Sequence, residues 1–287
     1  MLGRGKYHTA EARSIRILKL KAMVRTSGSG VLSSCIVSLV AVAMLVQPGY
    51  AEDQGVRVRY REGSVAGFVV LRNEKGAVLA SGEFSQVPRG DRIKSRMVFY
   101  FRDGSLDDEI SVYSQKSTFH LITDRHIQRG PAFPDPIDVT IDMRSQMVSV
   151  RDLSNGNQTV KTEHVDLPPD LANGLLFNLI KNLQTDTPKV EVSYLSPSPK
   201  PRLVKLAIAM EKEGQFTIAS RPLKAVEWDV KPELGGLAGV VAPMIGKQPP
   251  DLHVWITKDG VPTIVRVDAA LYNGGPVWSI QLASPLW

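Results

Sequence analysis

The chain has 287 residues, 43% of them hydrophobic and 22% charged, with one cysteine and a formal net charge of +6. Residues 1–51 hold seven of the bases and one of the acids, so the remaining 236 residues carry 28 of each and have no net charge. That balance leaves no excess of cations of the kind with which proteins displace counterions from nucleic acid, so no nucleic-acid partner is expected. Because the single cysteine, Cys35, also lies in the first stretch, the rest of the chain has neither a disulfide nor a thiolate nucleophile.

The N-terminal stretch has the order of a secretory leader. Arg4, Lys6, Arg13, Arg16, Lys19, Lys21 and Arg25 stand against Glu11 alone, and an apolar run over residues 31–46 follows. The run is shorter than the roughly 20 residues that span a bilayer. Pro48 breaks it before Gly49-Tyr50-Ala51, a small-x-small site that places cleavage after Ala51. Met23 is an alternative start that gives a leader of ordinary length, and an uncleaved anchor is the competing reading. Leu32-Ser33-Ser34-Cys35 resembles a lipid-attachment box but precedes the apolar run, which excludes lipidation. The expectation is a signal peptide over 1–51, export to the periplasm or beyond the cell, no membrane span after cleavage, and a single β-rich domain over 52–287.

From there the pattern has the period of two that a half-buried strand requires. Val56, Val58 and Tyr60 alternate with Arg57, Arg59 and Arg61, giving one apolar and one cationic face. Further strands are predicted over 64–72, 77–87, 94–102, 109–113, 118–123, 137–143 and 146–151. Asn73-Glu74-Lys75-Gly76, Arg102-Asp103-Gly104 and Ser154-Asn155-Gly156-Asn157 supply turn residues between some of them. A helix is predicted over 168–183, where Leu171, Ala172, Leu175, Leu176, Leu179, Ile180 and Leu183 recur at helical spacing and Asp166 or Asp170 is placed to cap it. Strands then resume over 189–195, 202–210, 215–219, 223–230, 253–257, 263–269 and 277–283. The fold class is mainly β: a curled antiparallel sheet or partly open β-barrel wrapped around one α-helix, with a β-sandwich as the alternative.

Two segments read as joints. Ser196-Pro197-Ser198-Pro199-Lys200-Pro201 cannot build a regular ladder, because proline lacks the donor; it is a sheet edge or a short linker. The glycine-rich apolar stretch 234–246 is either a lip over a ligand cavity or a tightly packed crossover.

No catalytic signature is present. The histidines beyond residue 51 are His120, His126, His164 and His253, and none forms a metal-binding pair, so no metal site or cofactor is expected. Asp107-Asp108-Glu109 lacks the length and periodicity of a calcium loop, and no Gly-x-Ser-x-Gly elbow or phosphate loop occurs. His120, Asp124 and His126 form the one polar group to test, since they share a face if their strand is regular. Trp287 ends the chain as outer-membrane barrels often end, but the apolar residues before it have the wrong parity.

Several segments resemble an uncharacterised family of exported bacterial proteins: Gln128-Arg129-Gly130-Pro131-Ala132-Phe133-Pro134, then Leu167 to Gly174, then Gly246 to Asp251 with Trp255, and Gly274-Gly275-Pro276-Val277-Trp278. That resemblance implies a bacterial envelope address and no activity. In architecture alone, a curled sheet holding a helix is similar to periplasmic lipoprotein carriers. Three functions follow as expectations. One is a non-catalytic carrier of a lipid or other hydrophobic molecule, with Leu175, Leu176 and Leu179 of the helix and Leu237, Val240, Val241 and Met244 lining its site. The others are an envelope hydrolase assembled from scattered residues and a scaffold that works through protein contacts. The sequence names no protein partner.

Overall fold

A computed structural model describes residues 55–154, 159–218, 221–233 and 249–283. Residues 1–51, expected as a leader, the apolar stretch 234–246 and the terminal Trp287 lie outside the described residues, and with that stretch Leu237, Val240, Val241 and Met244.

The strands are β1 (Val65–Arg72), β2 (Val78–Arg89), β3 (Arg92–Phe101), β4 (Leu106–Gln115), β5 (Phe119–Arg129), β6 (Ile137–Asp142), β7 (Met147–Asp152), β8 (Val160–His164), β9 (Val190–Ser196), β10 (Arg202–Ile218), β11 (Arg221–Glu233), β12 (Leu252–Thr257), β13 (Ile264–Ala270) and β14 (Val277–Ala283), with α1 (Leu176–Asn182) between β8 and β9. Apart from β8 and β9, which do not pair with each other, each strand pairs antiparallel with its sequence neighbours, and β1 also pairs with β14, from Phe68 opposite Ala283 to Arg72 opposite Ser279. Two meanders, β1 to β8 and β9 to β14, thus join along the β1–β14 seam into one fourteen-stranded sheet, and its two ends, β8 and β9, are consecutive in the chain. The fold is the curled open antiparallel sheet around one helix that the sequence predicts, not a sandwich.

Alternation explains the elements. Val69, Val267, Ile280 and Val254 are buried, and each sits at an inward position of a strand whose neighbouring positions are more open. One continuous core includes them together with Leu175, Leu179 and Ile180 of the helix segment. The two runs predicted over 202–219 are a single strand. A bulge between Met210 and Lys212 absorbs Glu211, and Gly214 stays in the ladder opposite Ala225. Residues 197–201 form the β9–β10 hairpin connection and not a linker. β8 is unannounced in the sequence because all five of its residues are exposed and no apolar face repeats.

Two expectations fail. Residues 56–61 form only one bridge, Arg57 to Thr118. Their backbone donors instead find the Ser117 carbonyl, from Val58 at 2.9 Å, and the Asn182 side-chain oxygen, from Arg59 at 2.8 Å and Tyr60 at 2.7 Å. The helix is shorter than predicted. Its N-cap is Leu175, with no side-chain cap, and residues 170–173 instead lie along the outer edge of β9. There Asp170, expected as a cap, accepts from Ser193 Oγ at 2.7 Å and Lys205 Nζ at 2.9 Å, while the Asn173 amide exchanges two 2.8 Å hydrogen bonds with the Leu195 backbone. Asn173 thereby supplies the pairing that a strand edge lacks. Gly174, at φ 64°, turns the chain from that edge into the helix.

Candidate functional site

The inner face of the curl does not fill completely. It leaves a cavity of about 690 Å³, within the range of small-molecule sites. Apolar side chains from strands on both sides of the β1–β14 seam form its walls, among them Val69, Phe99, Leu206, Val267 and Ile280, with Leu176 and Phe177 contributed by the helix. Val65, Val261 and Leu282 also line it while remaining 44%, 74% and 47% exposed, so its opening is rimmed by apolar groups. Pro232, Pro249 and Pro250, which flank the undescribed stretch, reach the same space.

Near one wall, aromatic rings pack edge to face or tilted against one another. Phe101 lies 5.3 Å from Phe133 and 5.6 Å from Trp278, while Tyr272 lies 5.8 Å from Phe133 and 6.0 Å from Trp278. Phe133 and Trp278 come from two of the segments that carry the family resemblance, and Gln128, from the first of them, donates to the Leu271 carbonyl at 2.7 Å. Tyr272 and Leu271 line the cavity as well. Segments distant in sequence therefore converge on one corner of the site.

A polar patch interrupts the apolar wall. Asp107, Glu109 and Ser111 occupy successive inward positions of β4, and Glu109 is directly opposite His126 on β5, with Ser111 opposite Asp124. His126 Nε2 lies 3.0 Å from Asp107 Oδ1, and Gln128 donates to Asp107 Oδ2 at 2.7 Å. Gly174 closes over Ser111 and Asp124: its carbonyl accepts from Ser111 Oγ at 3.0 Å, and its backbone also hydrogen-bonds the Glu109 carboxylate. A Cβ on Gly174 would meet Ser111 Cβ at 2.5 Å and Asp124 Oδ1 at 2.7 Å. Asp124 is 2% exposed, and its Oδ1 has no hydrogen-bond partner.

Burial and crowding set the protonation states here. Burial works against charge on His126, but Asp107, by charge and by hydrogen bond, together with Glu109 and Asp124, pushes the imidazole up to about 10. Burial, reinforced by Asp107, raises the Glu109 carboxyl above its ordinary range against the opposing pull of His126 and Gly174. Burial and the neighbouring Glu109 hold Asp124 well above the usual carboxylate range. Tyr194 of β9, which also lines the cavity, is raised by burial and then by the charges of Glu109, Asp124 and Asp107.

Of the residues predicted from sequence, Asp124 and His126 come together and His120 does not join them. A bulge places Val112 opposite Thr123 and Tyr113 opposite Leu121, so Ile122 is extra and the facing of β5 reverses across it. His120 instead contacts Thr118 Oγ1 at 2.6 Å and the Pro169 carbonyl at 3.5 Å. Leu176 lines the cavity, whereas Leu175 and Leu179 are buried in the core beside it. Asp107, Glu109, Gln128 and Tyr194 are additional. Their signal in the sequence is polar residues at alternate positions of strands whose other inward residues are apolar. A further buried pair, Lys181 on the helix with Glu62 at 2.7 Å, lies in the cavity wall. Among the described residues, no helix is long and apolar enough to cross a membrane.

No family model and no curated protein matches the chain. Among solved structures it is similar to a beta-barrel-like protein of the domain of unknown function DUF1849 from Brucella abortus. The two share 9% sequence identity, with 78% of this chain and 97% of that one covered, at a TM-score of 0.44.

Proposed function

We propose that the chain is exported to the bacterial envelope and there works as a non-catalytic binding protein that holds one lipid-like or otherwise hydrophobic molecule inside its curled sheet. The observation that carries this reading is the cavity of about 690 Å³, walled by apolar side chains from both meanders and the helix. Water in an apolar space of that size lacks hydrogen-bond partners, so an apolar occupant is favoured there. The exposed rim of Val65, Val261 and Leu282 supports the same reading, since an apolar entrance lets such a molecule pass without crossing a charged barrier.

The hydrolase reading has less support. His126 would have to act as a general base, yet Asp107 and its neighbours keep it protonated at neutral pH, and its hydrogen bond is to a carboxylate and not to a nucleophile. Export rests on the leader pattern alone.

The test is native mass spectrometry of the protein purified gently from the envelope, followed by organic extraction. The expected result is a stoichiometric hydrophobic adduct that is lost in Ala269→Phe, which projects a ring into the cavity. An apo mass in both proteins, with no uptake of added hydrophobic probe, refutes the reading.

A further inference from the structure

The two ends of the sheet are finished differently. At β9 the chain covers its own edge: Leu171 bridges Ser193, and the Asn173 side chain hydrogen-bonds the Leu195 backbone in both directions. At β8 nothing comparable occurs among the described residues. β8 pairs with β7 alone, and all five of its residues are exposed, Val160 at 47%. The direction of its backbone groups follows from one bond. The Val165 N–H donates to the Gln146 carbonyl at 2.9 Å, and these two residues continue the register in which His164 faces Met147. Backbone groups alternate sides along a strand, so those of Lys161 and Glu163 point at β7, while those of Val160, Thr162 and His164 point away from the sheet. Three residues thus hold out N–H and carbonyl groups along one bare edge, a template for another strand.

We infer that β8 is the site at which a second copy of this chain adds its own β8 antiparallel, joining two sheets about a two-fold axis at Thr162. This inference is independent of the carrier reading. The order Val160-Lys161-Thr162-Glu163-His164 selects this occupant. Reversed about Thr162, it sets Lys161 opposite the partner's Glu163, and Glu163 opposite the partner's Lys161. Opposed residues of an antiparallel pair share a face, and opposite charges there attract. Among the described residues neither has an ion-pair partner, and Lys161 acts on Asp152 only through its field. Because the outward backbone groups belong to residues 160, 162 and 164, Thr162 meets the partner's Thr162 as a hydrogen-bonded pair. The charge pairs then fall at non-hydrogen-bonded positions, where opposed side chains are closest. Moving the pairing by two residues either way sets Lys161 against the partner's Lys161, or Glu163 against the partner's Glu163, so charge fixes the register. A lone lysine guards an edge against added strands. Here the glutamate two residues on converts that guard into a lock for one orientation, and a contact made by the same patch on both copies closes at two.

The experiment is sedimentation velocity on the purified protein from about 1 to about 200 µM, since an interface this small binds weakly. The expected result is a weight-average mass that climbs from one chain toward two and stops there. Thr162→Pro removes a donor that points out of the sheet and leaves the β7 ladder intact, so it should sediment as a single chain at every concentration. Lys161→Glu and Glu163→Lys each oppose like charges and should weaken self-association about tenfold. An equimolar mixture of those two variants, or both substitutions in one chain, should restore it, because each again sets Lys against Glu. Unchanged far-UV circular dichroism reports that a variant is folded. A wild type that stays a single chain across the range, a mass that grows past two, or association untouched by Thr162→Pro overturns the inference. Failure of the mixed charge variants to recover overturns it as well, since the two-fold register requires that they pair.

Discussion

Gly174 tests how closely the chain that precedes the helix is pressed onto the polar patch. An alanine there faces two separate penalties. Its φ of 64° lies in the left-handed region, which disfavours a Cβ by about 1–2 kcal/mol. The Cβ would also stand 2.5 Å from Ser111 Cβ and 2.7 Å from Asp124 Oδ1, neither of which is the far end of a long flexible chain, so overpacking adds about 1–3 kcal/mol. Gly174→Ala should therefore lose about 2–5 kcal/mol of stability. Gly76 is the control: its φ is 78°, but nothing lies within 4 Å of an added Cβ, so Gly76→Ala carries only the backbone term of about 1–2 kcal/mol. Urea unfolding followed by tryptophan fluorescence measures both, with unchanged slopes showing that the folded and unfolded states are comparable. Equal losses at the two glycines would refute the close packing of Gly174 on β4 and β5, and with it the enclosure of Asp124.

Other outcomes follow from the same geometry. The His126 imidazole should titrate by NMR near 10 and not near 6.5, because Asp107 and the adjacent carboxyls favour its charged form. A raised folded-state pKa contributes stability that is complete below the unfolded value and disappears as pH rises through the folded one, so the urea midpoint should fall between about pH 7 and about pH 10 and flatten in His126→Gln. Lys181→Met strands the buried Glu62 carboxylate and should cost about 3–5 kcal/mol, part of which Lys181→Met/Glu62→Gln recovers. Phe133→Ala removes two edge-to-face partners from a buried cluster and should destabilise by about 3–5 kcal/mol in the same assay.

The sheet was legible because most strands show their inward face as every second apolar residue. Val277 to Ala283 was read to the residue, since Trp278 and Ile280 alternate with half-open neighbours. β5 was read only to residue 123 because its second half turns Asp124, His126 and Gln128 inward, where the pattern requires apolar groups. That same departure marks the candidate site, so the sequence obscured the strand exactly where it was most informative about chemistry. The helix was overextended because Leu171 and Ala172 keep helical spacing with Leu175 while packing from the segment along β9 that precedes the helix. Pairing with an edge 22 residues onward leaves no trace in local periodicity. His120 was grouped with Asp124 and His126 on the assumption of a regular strand, and one bulged residue, Ile122, reverses that grouping.

A closed barrel has its girth fixed by strand number and stagger. This sheet is never closed by pairing, since β8 and β9 remain its two ends and are tied only through the segment that carries the helix. Its interior width is therefore not set by a closing ladder: what ties the margin at β9 is the helix-bearing segment, through the hydrogen bonds of Asp170 and Asn173 along β9 and of Asn182 to the backbone of residues 59 and 60.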